Sequence, residues 1–222
     1  MERHFERELD DLKSNLVKMG SLVDDQLGKA CEALFGANVP LAKQVIERDS
    51  EVDSFDTLID KQCLRIFALS QPVAMDLRLL MSALKINNQL ERIGDIAVNI
   101  AERVEPLVAY HHFLVGTRLS EMAQIARIMI SDSLDSFVQS NATLASRVLA
   151  SDDIVDKLDR TTFYQLIQDM QRDNRLIEPA SHMMILSRHI ERLADHATNV
   201  AEDVIFLVEA KIVKHNALEE PR

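Results

Sequence analysis

Glu91, Asp95, Asn99 and Glu102 return 100 positions later as Glu191, Asp195, Asn199 and Glu202. Their surroundings return as well. Of the 14 residues beginning at Glu91, eight are identical to those beginning at Glu191. Unrelated stretches of ordinary composition would share roughly one. The chain is therefore a duplicated unit, and both copies keep the same oxygen-bearing side chains at helical spacing. On a wheel of about 100° per residue, Asp95, Asn99 and Glu102 lie at about 40°, 80° and 20° from Glu91, in one narrow stripe. Ile93, Ile96, Ala97, Ile100 and Val104 cluster on the opposite side, so the stripe points away from the helix's own core. The plain alternative is a solvated polar face. Against it, like charges four apart repel by a few tenths of a kcal/mol, and an unconstrained surface more often places Lys or Arg at one of the two positions.

A second acidic pair precedes each stripe. It is Asp49 and Asp53, continued by Asp56 and Asp60, in the first copy, and Asp152 and Asp156, continued by Asp159, in the second. If each pair lies on a helix folded back antiparallel on the next, residues at one height share a midpoint at the turn. Asp53 with Glu91 and Asp49 with Asp95 both centre on Pro72. Asp156 with Glu191 and Asp152 with Asp195 both centre between Asp173 and Asn174. Each half thus brings four carboxylates to one level. Such a set either raises its members' pKa values or takes up a cation. The ligands are all oxygen, with the amides of Asn99 and Asn199 and the carboxylates of Glu102 and Glu202 as further ligands or supports. That chemistry favours magnesium, manganese or iron ahead of zinc or calcium. No Glu is followed three residues later by His, which sets aside the di-iron bundle enzymes. His196, whose counterpart is Ile96, offers a nitrogen to the second site only, or else is a surface histidine. His182 and His189 match no ligand spacing.

The elements that would carry these residues are helical throughout. Five Gly and five Pro are few for 222 residues, and apolar residues recur every three or four positions. Breakers predict six helices, at about 5–35, 40–69, 72–110 with a bend near Pro106, 117–138, 142–172 and 178–215. Residues 217–222 read as a frayed tail. Three helices per half, up-down-up, make an all-α protein of two tandem three-helix bundles, 1–112 and 113–222. With no flexible linker between them, the bundles should pack as one rigid body, end to end or side by side.

Bulk properties narrow the function. A net charge of −11 argues against nucleic acid and suits a protein that attracts cations or docks on basic surfaces. No apolar run reaches the roughly 18 residues of a membrane span. The charged residues 1–8 are not a signal peptide. Cys31 and Cys63 form no CxxC pair, which fits a reducing cytoplasm and no role for the thiols. No nucleophile with its base, phosphate-cradling loop or dinucleotide motif is present, so catalysis has no support.

The duplicated Glu-Arg-Ile/Leu-x-Asp-x-Ala-x-Asn-Ile/Val-Ala-Glu, each preceded by an Asp-x-x-x-Asp helix, resembles the PhoU family of bacterial phosphate-signalling accessory proteins. The segment Gln71-Pro72-Val73-Ala74-Met75-Asp76-Leu77-Arg78 resembles that family's helix opening, and the likeness spans nearly the whole chain. It implies two three-helix bundles and a divalent or multinuclear metal on the paired motifs Asp49/Asp53 with Glu91/Asp95 and Asp152/Asp156 with Glu191/Asp195. It also implies a non-enzymatic negative regulator of the phosphate-starvation response. Such a regulator links the ATPase side of an ABC-type phosphate importer to a phosphate sensor histidine kinase, as a cytoplasmic homodimer held at the inner membrane through its partners. One departure stands out. Asp occupies the first motif of both halves where Glu is also allowed, and the shorter arm could alter nuclearity or metal preference. A metal-free acidic scaffold docking on a basic partner is the other reading.

Overall fold

The computed structural model describes residues 2–213. The first bundle is built from α1 (Glu2–Phe35), α2 (Val39–Glu47), α3 (Asp49–Ser70) and α4 (Met75–Glu102). Two short helices, α5 (Val104–Leu107) and α6 (His111–Val115), flank a 3-10 turn and lead to the second bundle of α7 (Leu119–Val138), α8 (Ala142–Arg172) and α9 (Ile177–Glu209). The two tandem three-helix bundles predicted from the repeat are present, and every element among the described residues is helical. The expected extension of the last helix to His215 fails, because α9 stops at Glu209 with Ala210 in the left-handed region (φ 57°). Residues 214–222, with the expected frayed tail, lie outside the described residues.

Two further boundaries differ from expectation. The third sequence helix does not bend at Pro106 but ends at Glu102. A proline interior to a helix lacks an N–H and its ring clashes with the carbonyl four residues back, here that of Glu102. The second sequence helix is divided at Arg48, whose guanidinium pairs with Asp25 and Glu51. The turn from α3 to α4 runs as expected through Gln71 and Pro72, with Gln71 left-handed at φ 44°.

Apolar stripes close each bundle. Leu12, Leu16, Met19, Val23 and Leu27 of α1 meet Ile86, Leu90, Ile93 and Ile100 of α4 in a core almost without solvent exposure. Met122, Ala126 and Ile130 of α7 cover Leu186, Ile190, Leu193 and Ala197 of α9 in the same way. The bundles lie side by side, with α4 packed on α9 and α1 on α7. Polar residues mark this seam. Lys85 Nζ bonds Asp203 Oδ1 at 2.8 Å and sits 5.7 Å from the Phe206 ring centroid, while Ser82 Oγ donates to the Asp203 carbonyl at 3.2 Å. No helix among the described residues is long and apolar enough to cross a membrane.

Candidate metal centres

Asp49 and Asp53 sit in the first turns of α3, where carboxylates also complement the positive end of the helix dipole. Glu91 and Asp95 lie mid-way along α4, and α3 folds back on α4 about the Pro72 turn. Gly94 lets the helices approach at this level. A Cβ there would stand 3.2 Å from Val52 Cγ1. In the second bundle α8 carries Asp152 and Asp156, and α9 carries Glu191 and Asp195.

The electrostatics follow the predicted register. Burial raises the Asp49 carboxyl, with Asp53 and Asp95 adding to the rise and a hydrogen bond from Gln26 opposing it. Glu91 is raised by burial, then by Asp95, Asp56 and Asp53. Asp152 is pushed up to about 6 by burial, then by Asp156, Asp195 and Asp153. Glu191 is pushed up to about 7 by burial and Asp195, against the opposing Arg188, with Asp159 and Asp156 contributing. Asp195 is raised by burial and by Asp156, with Arg188 and Arg192 opposing. Each cross-helix pair expected at one height is thus felt electrostatically: Asp49 with Asp95, Glu91 with Asp53, Asp152 with Asp195, Glu191 with Asp156.

The stripe does point away from the helix core, but its floor is not open water. The neighbouring helix half-covers it, and the Glu191 side chain is only 12 % exposed. Its Oε2 is buried with no hydrogen-bond partner. Such an oxygen is costly unless a cation or donor satisfies it. The donor set is all carboxylate, with Asp49 and Glu91 in the first half and Asp152, Glu191 and Asp195 in the second raised by burial, and it suits a hard divalent ion. Among the described residues, no group of three or more His, Cys, Asp or Glu side chains is already gathered into an ion cage. Holding an ion therefore requires these carboxylates to turn toward it.

The supporting residues named from the wheel lie in different surroundings. Asn99 Nδ2 donates to its own helix at the Asp95 carbonyl, 2.9 Å. Glu102 is exposed at the end of α4. Asn199 Nδ2 donates to Gln89 Oε1 at 3.3 Å, and Glu202 lines the notch between α4 and α9. His196 is not a surface histidine. It is 7 % exposed, its Nδ1 lies 2.7 Å from Gln89 Oε1 across the seam, and burial, then Arg192 and Arg92, push its pKa down to about 4. It occupies the buried position of Ile96, its counterpart, and is directed at α4 rather than the acidic face.

The structure adds supports that periodicity alone did not single out. Asn87 Nδ2 donates to Asp56 Oδ1 at 2.7 Å and to Asp60 Oδ1 at 3.2 Å. At the matching place Ser187 Oγ donates to Asp159 Oδ1 at 2.6 Å. Both donors are buried and sit one turn before the motif glutamate, a polar residue on an apolar face that was the available signal. Asp56 and Asp159 extend the two acidic clusters by one carboxylate each.

The PhoU domain family matches residues 16–104 and 119–204, one copy per bundle and more than half the chain. The chain belongs to the PhoU family. The phosphate-specific transport system accessory protein PhoU homolog of Aquifex aeolicus is 41 % identical over 214 residues, covering 96 % of this chain and 97 % of its own. That of Pseudomonas aeruginosa is 37 % identical over 217 residues, covering 97 % and 90 %. The crystal structure of PhoU from Pseudomonas aeruginosa superposes with a TM-score of 0.87 at 36 % identity, over 93 % of this chain and all of that one. The phosphate transport system regulatory protein PhoU from Streptococcus pneumoniae superposes at 0.85 with 25 % identity, over 95 % and 100 %. These PhoU relatives are named as accessory and regulatory proteins, not as enzymes.

Proposed function

We propose that this chain is a negative regulator of the phosphate-starvation response, an adaptor that couples an ABC-type phosphate importer, through its ATPase subunit, to a sensor histidine kinase. It works as a cytoplasmic homodimer, reaching the membrane surface only through those partners. The observation that carries this reading is the duplicated, half-buried carboxylate cluster, in a chain whose relatives are accessory to phosphate transport. Asp49, Asp53, Glu91 and Asp95 hold one metal centre and Asp152, Asp156, Glu191 and Asp195 the other, each taking magnesium, manganese or iron. The bound ion supplies positive charge that relieves the repulsion between carboxylates and offers a docking point for acidic or phosphate groups. The protein's own part is to position the carboxylates from rigid helices.

The absence of a ready-made cage among the described residues favours a second reading, a metal-free acidic scaffold that docks on a basic partner. The two part on metal uptake: the first requires saturable binding of a divalent ion, the second none. The regulatory reading is tested by complementation. In a bacterium lacking its own family member, this chain should silence a phosphate-starvation reporter in phosphate-replete medium, and Asp95→Asn with Asp195→Asn should fail to. An equally silent reporter in the double variant would remove the clusters from the mechanism.

A further inference from the structure

The two acidic clusters are built alike but not finished alike. One turn before the motif glutamate each has a buried donor to the third carboxylate, Asn87 to Asp56 and Ser187 to Asp159. The next residue differs. In the second bundle it is Arg188, whose Nη1 reaches Glu191 Oε1 at 2.6 Å. In the first bundle it is Asn88, whose Oδ1 instead accepts from Arg92 Nε at 3.1 Å. Among the described residues, no hydrogen bond or ion pair reaches the Glu91 carboxylate. A guanidinium is therefore in direct contact with the motif glutamate at one cluster, whereas at the other Arg92 is held by Asn88 and acts on Glu91 only through space.

The pair is lopsided in exposure. Arg188 is 65 % exposed and Glu191 12 % exposed, so the guanidinium comes in from solvent onto a carboxylate that is part of the cluster floor. It satisfies one oxygen of Glu191 and leaves Oε2 buried and unpartnered. Asp195 and the α8 acids Asp156 and Asp159 face the same carboxylate. A divalent ion taken up by Glu191 would meet this guanidinium at close range, and the two positive charges would repel.

Resting on the metal-binding reading, we infer that Arg188 is a built-in counter-cation of the second site, one that must withdraw from Glu191 for a metal ion to be held there. At the first site, with Asn88 at that place, Arg92 is turned onto Asn88 and no guanidinium has to leave the Glu91 carboxylate. The two sites consequently load at different metal concentrations, the first before the second, and the second responds to metal supply over a higher range.

The test is calorimetric titration of chelator-stripped, full-length protein with Mn²⁺ at fixed ionic strength. Glu91→Gln with Asp95→Asn isolates the second site, and Glu191→Gln with Asp195→Asn isolates the first. Adding Arg188→Ala to the isolated second site should tighten Mn²⁺ binding about fivefold, the size of effect an exposed ion pair supplies. The reverse change, Asn88→Arg in the isolated first site, should weaken it by a similar factor. Arg188 is exposed, so its replacement threatens no core packing, and the unfolding midpoint without metal confirms folding. Saturable Mn²⁺ binding that Arg188→Ala leaves unchanged, or weakens, overturns the competitor role and leaves the metal sites standing. No saturable binding at either isolated site, or in the wild type, overturns the metal reading itself and this inference with it.

Discussion

Among the described carboxylates, Glu191 and Asp152 carry the largest upward shifts, to about 7 and about 6, and burial comes first among the causes of each. Their ordinary values are 4.5 and 3.8. Between about pH 4 and pH 7 the folded protein therefore holds more protons at these groups than the unfolded chain does. Stability contributed here is present below the unfolded values and is lost as pH rises through the folded ones. Glu191→Gln removes one of the titrating groups and keeps the shape. In chelator, its unfolding midpoint should gain on that of the wild type as pH goes from 4 to 7. A midpoint difference that stays constant across that range would show that Glu191 is not perturbed. The same proton linkage makes divalent binding tighter at higher pH, since the metal takes the deprotonated carboxylates.

The helices place these groups through devices that the duplication repeats. Asn38 caps α2 and Asn141 caps α8, each side-chain oxygen accepting from the backbone N–H three residues on, at 3.1 and 3.0 Å. The repeat is not rigid. Arg48 divides the first copy's helix immediately before Asp49, whereas α8 runs unbroken through Asp152 and Asp156. Asn141→Ala should cost about 1 kcal/mol, a fall of about 2–4 °C in the unfolding midpoint for a chain of this size. The acidic cluster lies roughly 16 Å further along the helix, so metal stoichiometry should not change. Differential scanning calorimetry with and without Mn²⁺ checks both halves of that statement. A loss of stoichiometry would mean that the cap orders the site and not only the helix end.

At the scale of the whole molecule the seam of α4 and α9 joins the two copies, and His196 lies in it. With its pKa pushed down to about 4 from an ordinary 6.5, the imidazole is neutral in the folded protein where the unfolded chain would protonate it. Here the sign is opposite to that of Glu191. The unfolded state binds more protons between about pH 4 and 6.5, so this contribution is complete above 6.5 and is lost as pH falls toward 4. His196→Ile, which installs the first copy's residue, should lessen the loss of stability on acidification, read as a midpoint difference from wild type that grows as pH drops from 6.5 to 4. An unchanged difference would place the histidine outside the acid response of the seam. Because the two groups act in opposite directions over one window, only variant-minus-wild-type comparisons separate them.

Much of this was legible along the chain. The 100-residue repeat and the three- and four-residue apolar spacing are local and periodic, so the helical class, the pair of three-helix bundles and the turns at Pro72 and Asp173 follow from them without any tertiary information. The register of Asp49 against Asp95 and of Asp152 against Asp195 was legible for the same reason, since two helices joined by a short turn have little freedom to slide. Tertiary packing alone decided the rest. The seam pairs residues more than 100 positions apart, such as Lys85 with Asp203 and Gln89 with His196, and no periodicity within a helix encodes which polar residue will be covered by the other bundle. It also decided that Glu191 would be nearly covered and that Arg188 would reach it, because an arginine three residues before a glutamate can as readily extend into solvent. Spacing sets which side chains share a face; the neighbouring helix sets how much water they keep.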